Sequence, residues 1–293
     1  MTLVTPTVLT GVDGSPESTA AAHWAAGEAL RRGAELRLVH AWPWLTDGRA
    51  AFAEADAPPE AALRTLAEAA DAVRAQHPGL AVHTDVVLDA PVDGLIAAAV
   101  DAELLVVGSR GLGGFSGLLL GSVGMAAAAR SEVPVVVVRA EPTEEDAAEA
   151  AGVPEVVVGV DAHAPDDAVL AFAFQEAGLR RARLRAVSGW DLPPAFGYAG
   201  WIPPGAEIAQ LEALEAKLLS LAVAERRERH PEVEVVEEVR PGPARAVVEA
   251  AAGAQLVVVG RRRRPVEIGP RLGRVAHAVL HHAPAPVAVV PHA

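Results

Sequence analysis

The feature that most constrains this chain is that it repeats itself. Val8–Asp13 reads VLTGVD, and Val156–Asp161 reads VVVGVD 148 residues later; Trp42 and Trp190 stand at the same offset. Further on, Leu105–Gly108 and Val257–Gly260 are 152 residues apart, as are Pro134-Val135 and Pro286-Val287. A period near 150 in a chain of 293 residues is duplication of a whole domain rather than a solenoid of short repeats. The expected domains are residues 1–140 and 153–293, joined by an acidic, proline-containing linker, Glu141-Pro142-Thr143-Glu144-Glu145-Asp146 followed by Ala147–Ala151.

Each copy alternates strands with helices. In copy one, strands are expected at Thr7–Val12, Leu36–Ala41, Val82–Leu88, Leu104–Val107 and Val135–Arg139. Between them, helices are expected from Pro16 to about Arg32, over about 59–76, at Val92–Val100 and at Ser122–Arg130. Ser15-Pro16-Glu17 is a helix start: a side-chain cap, a proline in the first turn and an acid against the dipole. Gly33 ends that helix. Leu104–Val107 has no polar alternation, as expected of a strand buried on both faces. The pattern predicts an α/β fold with two tandem Rossmann-like domains, each a five-stranded parallel sheet of order 3-2-1-4-5 flanked by helices. Ligands of such sheets sit beyond the carboxyl ends of the strands, where strand order reverses. Asp13 and Gly108 are expected to be neighbours across that crevice.

Composition excludes several classes. There is no cysteine, hence no disulfide, thiolate metal site or thiol nucleophile. The N-terminus, Met1-Thr2-Leu3-Val4-Thr5-Pro6, has no basic segment leading into an apolar stretch, and the longest apolar runs are far shorter than the ~20 residues of a membrane span. The expectation is a cytoplasmic protein without membrane association. The net charge of −13 argues against a general nucleic-acid binder and requires a local device for any anionic ligand.

Gly108–Gly124 supplies such a device, with seven glycines in seventeen residues between a buried strand and a helix. Glycine lets backbone N–H groups approach a ligand, and successive N–H groups form an anion-binding nest. The helix starting at Gly121-Ser122 aims its dipole at the same point. Ser122 can add a hydroxyl, and Arg110 a positive charge. The segment is neither a P-loop, which needs G-x-x-x-x-G-K-[ST], nor the dinucleotide fingerprint, since Ser116 stands where the third glycine belongs.

The spacing Gly108-x2-Gly111-x9-Gly121-Ser122 resembles the ATP-binding signature of the universal stress proteins, and Gly11-Val12-Asp13 and Leu38-Val39-His40-Ala41 resemble that family's first two strand ends. The resemblance covers essentially the whole chain and implies an adenine nucleotide α-hydrolase-like fold. It implies that Asp13 binds the ribose or adenine, with Gly11 and Val12 beside it in the ATP site, and that the Ala41 backbone contacts the adenine. Val107, Gly108, Arg110 and Gly111 would line the ribose and phosphates, with Gly121, Ser122 and Val123 holding the phosphates. The implied cofactor is ATP, with or without magnesium. The family reading also implies an internal pseudo-dimer joined through the last strands, Val135–Val138 and Val287–Val290, with a homodimer as a further step.

Copy two departs from the motif. Asp161, Gly260 and Gly273 are kept, but Gly111 becomes Arg263 and Ser122 becomes Arg274. These five residues outline an altered second site. The run Arg261–Arg264 admits three readings: direct phosphate binding by guanidinium groups, a basic patch for RNA or an acidic partner, or a solvated loop.

Other features carry less. His277 and His281 share a helix face, without the glutamate of a zinc protease or an obvious third ligand. His40 and His83 are read as locally satisfied strand residues. The stretch around Trp190, Pro193, Pro194, Phe196, Tyr198 and Trp201, like Trp42-Pro43-Trp44 in copy one, is read as a loop anchored by its rings, with a lid over the adenine side or packing between the copies as the other readings. A long amphipathic helix is expected at Glu207–Glu228. No catalytic residue and no metal ligand are assigned. The leading function is a nucleotide-dependent sensor or regulator in stress adaptation. A nucleotide-independent interaction module of the same fold, or an ATP-using enzyme with an acceptor site, are the alternatives.

Overall fold

The uninterrupted apolar runs become parallel strands in each unit. A computed structural model describes residues 5–42, 60–111, 120–139, 153–191, 205–263 and 272–293, excepting the side chains of 206 and 207. The linker, the middle of the glycine-rich loop, most of the aromatic stretches and Arg264 lie outside the described residues. The chain divides into two compact units, Met1–Pro142 and Thr143–Ala293.

In unit 1 the strands are β1 (Thr7–Gly11), β2 (Glu35–Ala41), β3 (Val82–Val87), β4 (Leu104–Gly108) and β5 (Val135–Val138). Their order is β3-β2-β1-β4-β5, all parallel. Val8 is level with Leu36 on one side and Leu104 on the other. The helices are α1 (Pro16–Arg32), α2 (Glu60–Gln76), α3 (Pro91–Ala98) and α4 (Ser122–Arg130). The helices pair across the sheet faces, α1 with α2 and α3 with α4. Strands covered on both faces can be apolar throughout, and Leu104–Val107 and Val135–Val138 are all buried.

Unit 2 repeats the plan with β6 (Glu155–Gly159), β7 (Arg183–Trp190), β8 (Val235–Pro241), β9 (Leu256–Arg262) and β10 (Val287–His292). The order is β8-β7-β6-β9-β10. Its helices are α5 (Asp167–Arg180), α6 (Gly205–Arg229), α7 (Pro243–Ala250) and α8 (Arg274–His282). The expected fold class is therefore present, with strand and helix ends within two residues of the sequence reading where that reading gave bounds.

The repeat extends to single residues. Gly33 ends α1 with φ 63°, and Arg181, at the same place in unit 2, ends α5 with φ 50°. Glu28 and Glu176 are both fully buried one turn before an arginine, Arg32 and Arg180. Among the described residues no helix is long and apolar enough to cross a membrane.

Candidate functional site

The crevice of unit 1 is built from the ends of β1, β2 and β4. Beyond β1, the Val12 N–H donates to the Val39 carbonyl (2.9 Å), and the Val12 carbonyl accepts from His40 Nδ1–H (2.7 Å). This pins Val12, so the next side chain, Asp13, leaves the sheet at a fixed point. Asp13 Oδ1 then accepts from the Ser15 N–H (2.9 Å) and the Ser15 hydroxyl (2.6 Å), a local turn that aspartate two residues before serine commonly makes. Ser15 Oγ also caps α1 by accepting from the Ser18 N–H at 3.2 Å, and Ser18 Oγ accepts from the Asp13 N–H at 3.3 Å. One carboxylate is thus tied to the first turn of α1.

Ser15 serves both cap and turn, and it is buried. Ser15→Ala is expected to cost about 1–2 kcal/mol of unit 1 stability, read as a lower urea midpoint. A change below about 0.3 kcal/mol would remove Ser15 from this role.

The other oxygen of that carboxylate faces the glycine-rich loop. A β-carbon at Gly111 would overlap Asp13 Oδ2. Gly108 is equally constrained, because its β-carbon would lie 2.8 Å from the Glu17 carbonyl. The Ser109 N–H donates to Val138 O (2.6 Å), and Ser109 O accepts from the Gly121 N–H (2.6 Å), closing the base of the loop. Gly121 is the N-cap of α4 with no side-chain cap bond, and a β-carbon there would lie 3.3 Å from Arg110 Cα. Ser122 is exposed at the first position of the helix, with Val123 beside it. Gly11 and Ala41 lie at the ends of β1 and β2, as the sequence reading requires.

Charge at the mouth is modulated in a way the sequence did not suggest. Arg110 Nη2 lies 2.6 Å from Glu17 Oε1, so its charge is shared with an acid of α1. Arg139, just past β5, is held below the ordinary guanidinium value, first by burial and then by the like charge of Arg110. The helix-start motif showed Glu17 only as a dipole complement. The proximity of Arg110 and Arg139 depends on strand order, which local sequence does not display.

In unit 2 Asp161 keeps its place, with Oδ1 accepting from the N–H groups of His163 and Ala164 at 3.2 Å each. A cavity of about 470 Å³ opens at the strand ends, lined by Asp161, Gly260, Gly273 and Arg274 together with Arg262, Asp166 and His292. Arg263 is not among its lining residues; its N–H donates to the His292 carbonyl at 2.6 Å. His292 and Asp166 were missed by the sequence reading, although His292 Nδ1 lies 3.0 Å from Asp166 Oδ2 on the cavity wall.

A family model described as the universal stress protein family matches residues 5–139 and again 153–291. The chain belongs to the universal stress protein family. A universal stress protein of Mycobacterium tuberculosis strain H37Rv is 33% identical over 314 aligned residues, covering 96% of each chain. A second from that strain is 29% identical over 291 residues, covering 97% of this chain and 96% of the relative. The crystal structure of a universal stress protein from Archaeoglobus fulgidus, 20% identical, covers 98% of both chains with a TM-score of 0.68, a likeness of fold.

Of the remaining expectations, His40 and His83 do have local partners, Val12 O and Glu35 Oε2 (3.2 Å). The His277 and His281 rings lie 4.5 Å apart on α8. Among the described residues no group of three or more histidine or acidic side chains could hold a metal ion.

Proposed function

We propose that this universal stress protein binds an adenine nucleotide, ATP with or without magnesium, in the unit 1 crevice and acts as a nucleotide-dependent sensor or regulator in stress adaptation. The observation that carries the reading is the apposition of Gly111 and Asp13 Oδ2 beside the uncapped start of α4. An acceptor carboxylate suits ribose hydroxyls or an adenine amine. A helix start with a neighbouring hydroxyl and a nearby guanidinium suits phosphates. The Asp13 carboxylate is already held by Ser15, which fits it for orienting a ligand rather than for shuttling a proton. Binding, with no turnover required, is the role this arrangement supports.

ATP affinity of the full chain, measured by calorimetry for wild type, Gly121→Ala and Ser122→Ala, tests the reading. Ser122→Ala is expected to weaken binding by about tenfold through loss of one hydrogen bond to a charged group. Gly121→Ala is expected to do at least as much, because the added carbon crowds Arg110 Cα and Ser109 O at 3.3 and 3.4 Å. Unchanged affinity in both variants overturns the assignment.

A further inference from the structure

α8 sets its core face with Ala276, Val279 and Leu280, all buried. His277 and His281 lie off that face, the first exposed and the second half-buried. Being four residues apart, they stand one above the other on the helix surface. Their ring centroids are 4.5 Å apart, with the planes tilted by 36°. His282 is exposed too, but adjacent helical positions do not face each other, and its ring lies 6.2 Å from that of His281.

The pair belongs to unit 2 alone. At an offset of 152 residues, Met125 and Ala129 of α4 stand where His277 and His281 stand in α8. The two helices otherwise match, each nine residues long and each preceded by a glycine at its N-cap, Gly121 and Gly273. Forming and packing this helix therefore does not call for imidazoles at these two places.

Two imidazoles at this spacing can hold one metal ion, since each offers a nitrogen lone pair and metal–nitrogen bonds are about 2 Å long. An imidazole ligates through one nitrogen while the other keeps a hydrogen bond, so other partners of the rings do not compete with the ion. His281 lies in the last turn of α8, where the carbonyl end of the helix carries partial negative charge and favours a cation. Arg274 is the like charge on the same helix, but at 92% exposure its repulsion is screened by solvent and salt. Among the described residues no third histidine or acid joins the pair, so the arrangement is an open chelate and not a closed structural cage. Imidazole ligands with open positions favour copper(II) over zinc(II) by the Irving–Williams order. We propose that His277 and His281 form a two-imidazole site for a divalent transition ion, copper(II) before zinc(II), with water in the remaining coordination positions. The site is separate from the nucleotide reading of unit 1 and does not depend on it.

The full chain is titrated calorimetrically with copper(II) and with zinc(II) at mildly alkaline pH, as wild type and as His277→Ala, His281→Ala and His282→Ala. Alanine is the stronger helix former, so these replacements leave α8 in place, and far-UV circular dichroism checks that they do. Wild type is expected to show one copper site, weakened at least about tenfold by His277→Ala and equally by His281→Ala, because a single imidazole loses the chelate. His282→Ala is expected to stay within about threefold of wild type. Zinc is expected to bind the same site more weakly than copper. With copper below one equivalent, the electron paramagnetic resonance spectrum of wild type should show two nitrogen ligands. The proposal is overturned if copper affinity is unchanged in either His277→Ala or His281→Ala, if His282→Ala costs as much as they do, if zinc binds more tightly than copper, or if wild type shows a single nitrogen ligand.

Discussion

Gly111→Arg is expected to lower the affinity of unit 1 for ATP by at least about 100-fold, the equivalent of losing one to two hydrogen bonds to charged groups. The residue introduced is the one that copy two already carries at this position, Arg263. Its β-carbon alone would overlap Asp13 Oδ2. Asp13 cannot simply rotate away, because Oδ1 accepts two bonds from Ser15, and Ser15 is also the cap of α1. Accommodating that carbon costs either the Asp13–Ser15 bonds or a retreat of Gly111 from the proposed phosphate position. Gly111→Ala isolates the first methyl from the charge and is expected to lose about tenfold by the same displacement. Both are read by calorimetry on the full chain. Binding within about threefold of wild type in both variants would show that Gly111 is not part of the site.

That prediction depends on a contact that sequence anticipated only in outline. The parallel strand order follows from alternating elements and from runs such as Val135–Val138, and it brings the ends of β1 and β4 together. The helix start at Ser15-Pro16 was equally legible, since capping is local. The ion pair between Arg110 and Glu17 joins residues distant in sequence, and so does the electrostatic coupling of Arg110 and Arg139. No periodicity encodes either.

The least legible feature was the extension of β9 in unit 2. Arg261 and Arg262 read as phosphate ligands, a basic patch or a solvated loop, none of which placed them in a strand, yet they are ladder residues opposite Pro291 and His292. Arg261 is buried despite its charge. Consecutive arginines carry no apolar strand pattern, and pairing with β10 sets their conformation instead. Hence His292 and Asp166, which meet only because β10 runs this far, were not among the residues picked out for copy two.

The buried acids of the first helix in each unit provide the largest expected effect on stability. Glu28→Ala is expected to lower the unfolding free energy of unit 1 by about 3–5 kcal/mol, the usual loss when one member of a buried ion pair is removed. Glu28 is 0% exposed, with Oε1 2.7 Å from Arg32 Nε and Oε2 3.1 Å from Arg31 Nη1. The Arg32 side chain is itself only 4% exposed and reaches Glu103, at 3.3 Å, only on a half-exposed carboxylate. Removing Glu28 takes away the carboxylate that meets the buried Arg32 guanidinium at 2.7 Å, and that cost exceeds the few tenths of a kcal/mol of an exposed i,i+4 pair. Unit 2 repeats the arrangement with Glu176 and Arg180, whose side chains are 0% and 3% exposed. Glu176→Ala is therefore expected to destabilise unit 2 by a similar amount. Urea unfolding of the full chain at neutral pH, resolved into two transitions, should show each variant shifting one transition and sparing the other. Replacing both Glu28 and Arg32 with leucine is expected to recover most of the loss, because it removes the desolvated charges together with the bond. If the single variants cost less than about 1 kcal/mol, or the double replacement is as damaging as Glu28→Ala, the duplicated pair is not holding these helices as its burial implies.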